Sequence, residues 1–292
     1  MSKLLTVLHV FYHDQVDYFI DKLSNINGIE WDLVVTYSEF SAETEAKLKI
    51  FKPDVKMLQV GNAGYDVWPF IQVIQNIDFD EYEYVLKLHT KGQSKQRLNG
   101  VNFRKWLWRD LLVKAILKSK ERFTSCIEIL ENRNDIGMLC SYELLKDIDG
   151  ILPEESHMLY EEAERISLDI VDDSFCAGTI FLARLQAFEK LRNLEFSEEL
   201  WGSLNKSHGN GTLAHVYERI LCLLVVDEGY KIETTISSRK VSSLVFYNKR
   251  VLPVFKNIFN IDRDPKTFDK YLTLLGLKMR LSQGNADDKN ES

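Results

Sequence analysis

The chain has 292 residues, 45% of them hydrophobic, enough to bury one large core with a small appendage. Its four cysteines, Cys126, Cys140, Cys176 and Cys222, stand far apart, with no CxxC pair and no histidine at zinc-finger spacing, which excludes a disulfide framework and a structural zinc module. The net charge of -7 hides blocks of opposite sign: 10 Lys/Arg against the single acid Asp110 over residues 84–120, 11 Asp/Glu against Lys146 and Arg165 over 141–173, and 10 Lys/Arg against Asp262, Asp264 and Asp269 over 239–281.

Met1-Ser2-Lys3 runs straight into an apolar stretch, without a long h-region or a small-residue cleavage site, and no segment reaches the roughly 18 apolar residues of a membrane-spanning helix. A cytoplasmic protein is therefore expected. Residues 4–11 (LLTVLHVF) form a nearly continuous apolar run, which predicts a strand covered on both faces. A helix follows at 16–23, a strand at 31–36, a helix at 42–51, a strand at 55–60 and a helix at 66–76. Residues 84–88 (YVLKL) predict a fourth strand, 103–122 one long amphipathic helix, 136–140 and 179–183 two later strands, and 213–226 a further helix. Such alternation predicts an α/β fold, a Rossmann-like, mainly parallel sheet flanked by helices. Beyond residue 240 the rhythm stops: 241–259 and 271–281 mix Phe and Leu with Lys and Arg, read as a C-terminal helical extension, and from Gly284 the chain turns polar.

In parallel sheets ligands bind beyond the carboxyl ends of the strands. The loops there are Tyr12-His13-Asp14, Tyr37-Ser38-Glu39, Gly61-Asn62-Ala63-Gly64-Tyr65-Asp66 and the segment opened by His89-Thr90-Lys91. The two glycines of the third loop let the backbone turn tightly and approach a ligand. Asp66 has two open readings, as N-cap of the next helix, with Pro69 in its first turn, or as a ligand-binding carboxylate. The basic blocks are equally open, as solvated faces or as sites for anions.

Three segments carry a family likeness: GYDVWPF (64–70), KLHTK (87–91) and FCAGTIFLAR (175–184). In order and spacing they resemble the rhamnan-synthesis F family of bacterial surface-polysaccharide glycosyltransferases. The stretch 61–93 resembles the Asn-x-Gly, helix, strand, Asp-x-Asp succession of GT-A enzymes, and the similarity spans residues 3 to 235. The resemblance implies a GT-A-like domain over 1–240, while the composition beyond it predicts a basic amphipathic helical extension over 241–283 and a disordered tail over 284–292. It also implies a hexosyltransferase that moves a galactose- or rhamnose-type sugar from a UDP- or dTDP-linked donor to a growing surface polysaccharide or lipid-linked glycan, as in O-antigen synthesis.

On the family's map Tyr12, His13 and Ser38 fall near the nucleoside, and Asn62, Gly64 and Asp66 near the ribose or sugar. His89 and Lys91 stand where relatives carry metal-binding aspartates. A histidine and a lysine do not reproduce a hard-oxygen cation site, so no metal cofactor is expected. Instead Lys91 and His89, with Lys95 and Arg97 nearby, are expected to meet the diphosphate directly. Asp172 and Asp173 are candidate catalytic carboxylates, and the Cys176-Ala177-Gly178 segment is placed against the acceptor sugar. His215 and Glu218 lie three apart on one predicted helix face, with Glu218 an alternative base. A non-catalytic nucleotide-binding regulator of the same fold is the competing reading. Nucleic-acid binding through Trp106 and Trp108 is disfavoured by the acidic total and the missing motifs. The C-terminal basic segment suits either peripheral contact with the inner face of the cytoplasmic membrane or packing on the core.

Overall fold

The apolar run at the start of the chain becomes β1 (Lys3–Val10), with seven of its eight residues buried. A computed structural model of the protein describes residues 3–93, 97–98, 100–147, 153–170, 174–201, 212–263 and 269–282. After β1 come α1 (Val16–Leu23), β2 (Glu30–Tyr37), α2 (Ala42–Phe51), β3 (Lys56–Gln59), α3 (Val67–Gln75) and β4 (Tyr84–His89), close to the expected boundaries. Two short strands, β5 (Arg97–Leu98) and β6 (Val101–Asn102), pair as a hairpin. The chain continues through α4 (Leu107–Leu117), α5 (Lys120–Asn132), β7 (Ile136–Ser141), β8 (Leu145–Asp147), α6 (Pro153–Arg165), β9 (Ser174–Cys176), β10 (Phe181–Arg184), α7 (Leu213–Asp227) and β11 (Lys231–Thr235).

The single long helix expected over 103–122 is two helices. Ser119 leaves the helical region (φ -159, ψ 170), and its side chain accepts from Arg122 N, so it caps a new helix. The apolar period survives the break because α4 and α5 both pack on β7.

Seven strands form one sheet in the order β11-β7-β10-β4-β1-β2-β3. β1 is parallel to β2 and β4, β2 to β3 and β11 to β7, while β10 alone runs antiparallel to its neighbours β4 and β7. The expected α/β architecture with a mainly parallel sheet is thus the one observed. The antiparallel strand has a functional consequence, because it brings the start of β10 to the same edge as the carboxyl ends of β1 and β4. Phe181 pairs with Lys87, so Thr179 arrives beside the end of β4.

The chain divides into two units, residues 1–95 with 103–237, and 96–102 with 238–292. The boundary expected at 240 falls at 237, and the small hairpin belongs with the C-terminal part. In the smaller unit α8 (Arg239–Phe246) is capped by the Ser238 side chain and followed by a π-helical turn and α9 (Leu252–Ile258). The expected extension is helical only this far. Residues beyond form a three-stranded antiparallel sheet, β12 (Phe259–Arg263), β13 (Lys270–Leu274) and β14 (Leu277–Ser282). The reason is local: Leu277-Lys278-Met279-Arg280 alternates with period two, and Leu275 and Gly276 (φ 49 and 84) supply a tight hairpin turn. The tail expected over 284–292 lies outside the described residues. Among the described residues no helix is long and apolar enough to cross a membrane.

Candidate active site

Strand alternation sets the chemistry of the carboxyl edge. In β4 the side chains of Lys87 and His89, two residues apart, share one face, and the register sets His9 of β1 beside His89 and Thr36 of β2 beside His9. These polar groups are all buried, with Lys87 1%, His89 3%, His9 5% and Thr36 0% exposed. Buried polar groups of this kind need partners, and those of Lys87, His9 and Thr36 can be named.

Lys87 Nζ forms an ion pair with Asp66 Oδ2 and donates to the Thr179 carbonyl (3.1 Å) and hydroxyl (2.9 Å). The Thr179 hydroxyl in turn donates to Asp66 Oδ2. Two pairs of left-handed residues create this triangle: Gly64 and Tyr65 (φ 65 and 54) turn the loop so that Asp66 faces inward, and Gly178 and Thr179 (φ 93 and 46) turn Thr179 toward it. For β-branched Thr179 that conformation is costly, and it persists because three hydrogen bonds to Lys87 and Asp66 over-determine it. A Cβ at Gly64 would collide with Trp68 and Trp201. Asp66 does stand at the N-cap position of α3, but its side chain makes no capping bond. The capping reading is replaced by the buried pair.

Burial on its own would raise the Asp66 carboxyl, yet the imidazole of His89 beside it, the Lys87 ammonium, and the hydrogen bonds of Lys87 and Thr179 hold it well below the usual carboxylate range. Burial pushes Lys87 down from the usual ammonium value, against the pull of Asp66. Burial pushes His89 well below the usual imidazole range, so at neutral pH it carries no charge and Lys87 is the cation that keeps Asp66 ionised. His89 Nδ1 lies 3.2 Å from Asp66 Oδ2, but out of line for a hydrogen bond. His9, bonded through Nδ1 to Thr36 Oγ1 (3.0 Å), is lowered by burial to about 4.

Above this floor is a cavity of about 390 Å³, lined among others by His9, Tyr12, Asn62, Tyr65, Asp66, His89 and Lys91. That size suits a small organic ligand. Its rim is fixed by backbone bonds. Thr90 Oγ1 accepts from Phe11 N (2.9 Å) and Tyr12 N (3.0 Å), holding the exit of β1. Gln15, 2% exposed, grips Lys91 from both sides, donating to its carbonyl (2.9 Å) and accepting from its N–H (3.3 Å). Lys91 Nζ then lies 5.4 Å from the centre of the Trp108 ring, a cation over an aromatic face.

The expected site residues separate into groups. Tyr12, Asn62, Asp66, His89 and Lys91 line the cavity together. His215 approaches from α7, with its ring 5.7 Å from that of Tyr65 and its Nδ1 2.8 Å from Thr212 Oγ1. Glu218 accepts from Gly178 N, tying α7 to the turn that presents Thr179. His13 has both ring nitrogens engaged, with Thr44 Oγ1 (2.9 Å) and the Glu39 carbonyl (3.0 Å), and braces loops. The Ser38 carbonyl accepts from Gln59 Nε2, and Ser38 does not line the cavity. Gly64 and Gly178 serve the backbone turns. Cys176 is a correction: it is fully buried, its Sγ directed at the Ile180 carbonyl (3.5 Å), and the neighbouring Cys140 and burial push its thiol well up, so it meets core and not an acceptor. Asp172 and Asp173 lie outside the described residues. Trp108, 8% exposed, offers no open stacking surface.

Lys87 was not among the expected residues, although a lysine inside the apolar strand YVLKL is a signal in itself, since such a position demands a carboxylate partner. A hard divalent cation fits the described residues poorly. It requires several oxygen ligands, and the carboxylate at the cavity, Asp66, is already held by an ammonium and a hydroxyl.

Comparisons with known proteins agree with the motif resemblance. The family model described as rhamnan synthesis protein F matches residues 1–230. The uncharacterized protein WxcX of Xanthomonas campestris pv. campestris is 25% identical over 232 residues, which is 78% of this chain and 32% of that protein. The chain thus spans about a third of the length of the curated relatives it matches. Among solved structures, residues 1–349 of S. aureus TarS align at a TM-score of 0.43 and 10% identity, over 84% of this chain and 65% of that chain. Glucosyl-3-phosphoglycerate synthase of Mycobacterium tuberculosis, in complex with Mn2+, UDP and phosphoglyceric acid, aligns at 0.38 and 11% identity, over 95% and 88%. Likeness at that distance assigns no role to any residue here.

Proposed function

The chain belongs to the rhamnan synthesis protein F family, and from that premise we propose that its larger unit is a glycosyltransferase taking a hexose from a nucleoside-diphosphate sugar to a surface polysaccharide or lipid-linked glycan. The observation that carries this reading is the cavity at the carboxyl edge of the sheet, with the buried Asp66–Lys87–Thr179 triangle as its floor and Lys91 on its wall. Tyr12, 40% exposed, offers an aromatic face to a base, and Asn62 a hydrogen-bonding group to a ribose or sugar. Lys91 supplies a positive charge where the departing nucleoside diphosphate gains negative charge, and neutral His89 can donate a hydrogen bond without adding charge. Asp66, fixed as an anion, is suited to accept hydrogen bonds from sugar hydroxyls. Glu218, Asp172 and Asp173 are the candidates for the group that handles the acceptor proton, with His215 beside the cavity through Tyr65. The donor is proposed to be UDP- or dTDP-linked, with a galactose- or rhamnose-type sugar.

We read the transfer as independent of a metal ion, because a cation at Asp66 would have to displace Lys87 from a buried pair. The test is a screen of UDP-, dTDP- and GDP-hexoses for nucleotide release and transfer in excess EDTA. Turnover that persists supports the whole reading. Loss of turnover restored by Mn2+ or Mg2+ overturns its metal-free part. Nucleotide binding by calorimetry with no turnover on any donor or acceptor overturns the enzymatic reading and favours a regulatory, nucleotide-binding unit.

A further inference from the structure

Among the described residues, the smaller unit leaves one sheet face uncovered. Alternation and register place Phe259 and Ile261 of β12, Leu272 and Leu274 of β13, and Leu277 and Met279 of β14 on that face: Phe259 pairs with Leu274, which pairs with Leu277, and Ile261 pairs with Leu272, which pairs with Met279. All but half-buried Leu272 are between 43% and 71% exposed. Leu275, at the tip of the β13–β14 turn, extends the apolar surface and is 77% exposed. The alternate positions carry Asn260, Asp262, Tyr271, Thr273, Lys278 and Arg280, polar apart from the tyrosine ring, with Lys278 Nζ 3.8 Å from Asp262 Oδ2. The sheet therefore has a polar side and a contiguous apolar side, and soluble surfaces rarely leave such an area bare without a partner.

Charge identifies the partner. Residues 239–281 carry 10 Lys/Arg against three acids. A second copy docking through the same face would set two strongly basic units against each other, which electrostatics opposes. A surface that is apolar below and anionic above satisfies both features at once. We propose that this sheet face docks on an anionic lipid surface, its apolar side chains entering the boundary between headgroups and acyl chains while Lys270, placed by the β12–β13 register on the same face as Leu272 and Leu274, meets lipid phosphates and the net positive charge of the unit draws it to the surface. The surface is a β-sheet face and not the amphipathic helix that the sequence suggests. The inference is independent of the donor chemistry, since it rests on residues of the smaller unit alone.

Flotation of the full chain with vesicles of pure phosphatidylglycerol or pure phosphatidylcholine, at low and high salt, tests it. Binding is expected to the first and not the second, and to weaken with salt. The double variant Leu277→Ser/Met279→Ser alters two exposed side chains and is expected to lower affinity for phosphatidylglycerol about a hundredfold. Lys270→Glu, at the end of the same face, is expected to lower it about fivefold or more. Circular dichroism of each variant checks that it remains folded. Failure of the unaltered chain to bind phosphatidylglycerol, equal binding to both lipids, or undiminished affinity in a folded double variant overturns the proposal. A concentration-dependent dimer in sedimentation that the double variant abolishes also overturns it, and assigns the face to a second copy.

Discussion

The two edges of the seven-stranded sheet each hold a cavity, and the larger is the less informative. At the amino edge a cavity of about 540 Å³ is lined by Lys3, Asp80, Glu81, Glu83, Arg184 and Tyr230. Its lysine, Lys3, pairs with Asp32 at 2.8 Å, and both side chains are 24% exposed. At the carboxyl edge the cavity is about 390 Å³, but Lys87 is 1% exposed against an Asp66 that is 17% exposed. The same two residue types meet in both places. What differs is the solvent around them, and a charge withdrawn from water stays in a fold only when its partners are fixed. Size therefore does not locate the site, whereas a buried, fully partnered charge beside a cavity does.

The contrast breaks or holds first on stability. Lys87→Met is expected to cost about 3–5 kcal/mol in urea denaturation, because it leaves the Asp66 anion buried without its cation. Adding Asp66→Leu is expected to restore much of that loss, as removal of both charges spares the desolvation of either. A loss under about 1 kcal/mol for Lys87→Met would mean that water reaches the pair and that the two edges do not differ.

Next comes pH. His9 has a folded-state value of about 4 against an ordinary 6.5, lowered by burial. Its contribution is fully present above 6.5 and is lost as pH falls toward 4, because the unfolded chain binds a proton that the folded chain refuses. The expected loss is about 3 kcal/mol across that window. His89, also lowered by burial, adds to it in the same direction. Thermal melting between pH 7 and pH 4 measures the slope, and His9→Gln is expected to flatten it. An equal slope in the variant would remove His9 from the account.

Lys91 sharpens the comparison in another way, since it stands at the site without being in the buried pair. Lys91→Met is expected to lower kcat about a hundredfold on whatever donor proves active, with stability changed by less than about 0.5 kcal/mol. Parallel kinetics and melting of the one variant separate the two effects. Unchanged turnover would exclude Lys91 from the diphosphate.

How much of this was legible before the fold was known depends on the kind of signal. Periodicity yielded the strand–helix order, and with it the carboxyl-edge loops that carry Asp66, His89 and Lys91. It could not yield the direction of β10, because alternation looks the same in a parallel and an antiparallel strand. The turn that presents Thr179 to Asp66 went unseen for that reason, and Cys176 was placed against an acceptor only by the family resemblance of its small-residue segment. The break at Ser119 was masked because the apolar period continues across it. The C-terminal sheet was hidden by composition, since Lys and Arg among Leu and Phe read as an amphipathic helix until the period of two over 277–280 is counted. Lys87 was visible all along as a charge within an apolar strand, but its partner, 21 residues earlier in the chain, becomes evident only when the loop folds back.

The smallest expected effect is the most discriminating control. Lys3→Met removes a lysine from the amino-edge cavity that has the same partner chemistry as Lys87, including an aromatic ring, Tyr82, 5.1 Å away. Because Lys3 and Asp32 remain in contact with solvent, water replaces the lost partner, and the expected cost is at most about 1 kcal/mol with no change in turnover. Urea denaturation of Lys3→Met beside Lys87→Met reads the difference directly. Equal costs would show that pairing, and not burial, sets the energy of both, and the buried triangle would then lose its claim to mark the active edge.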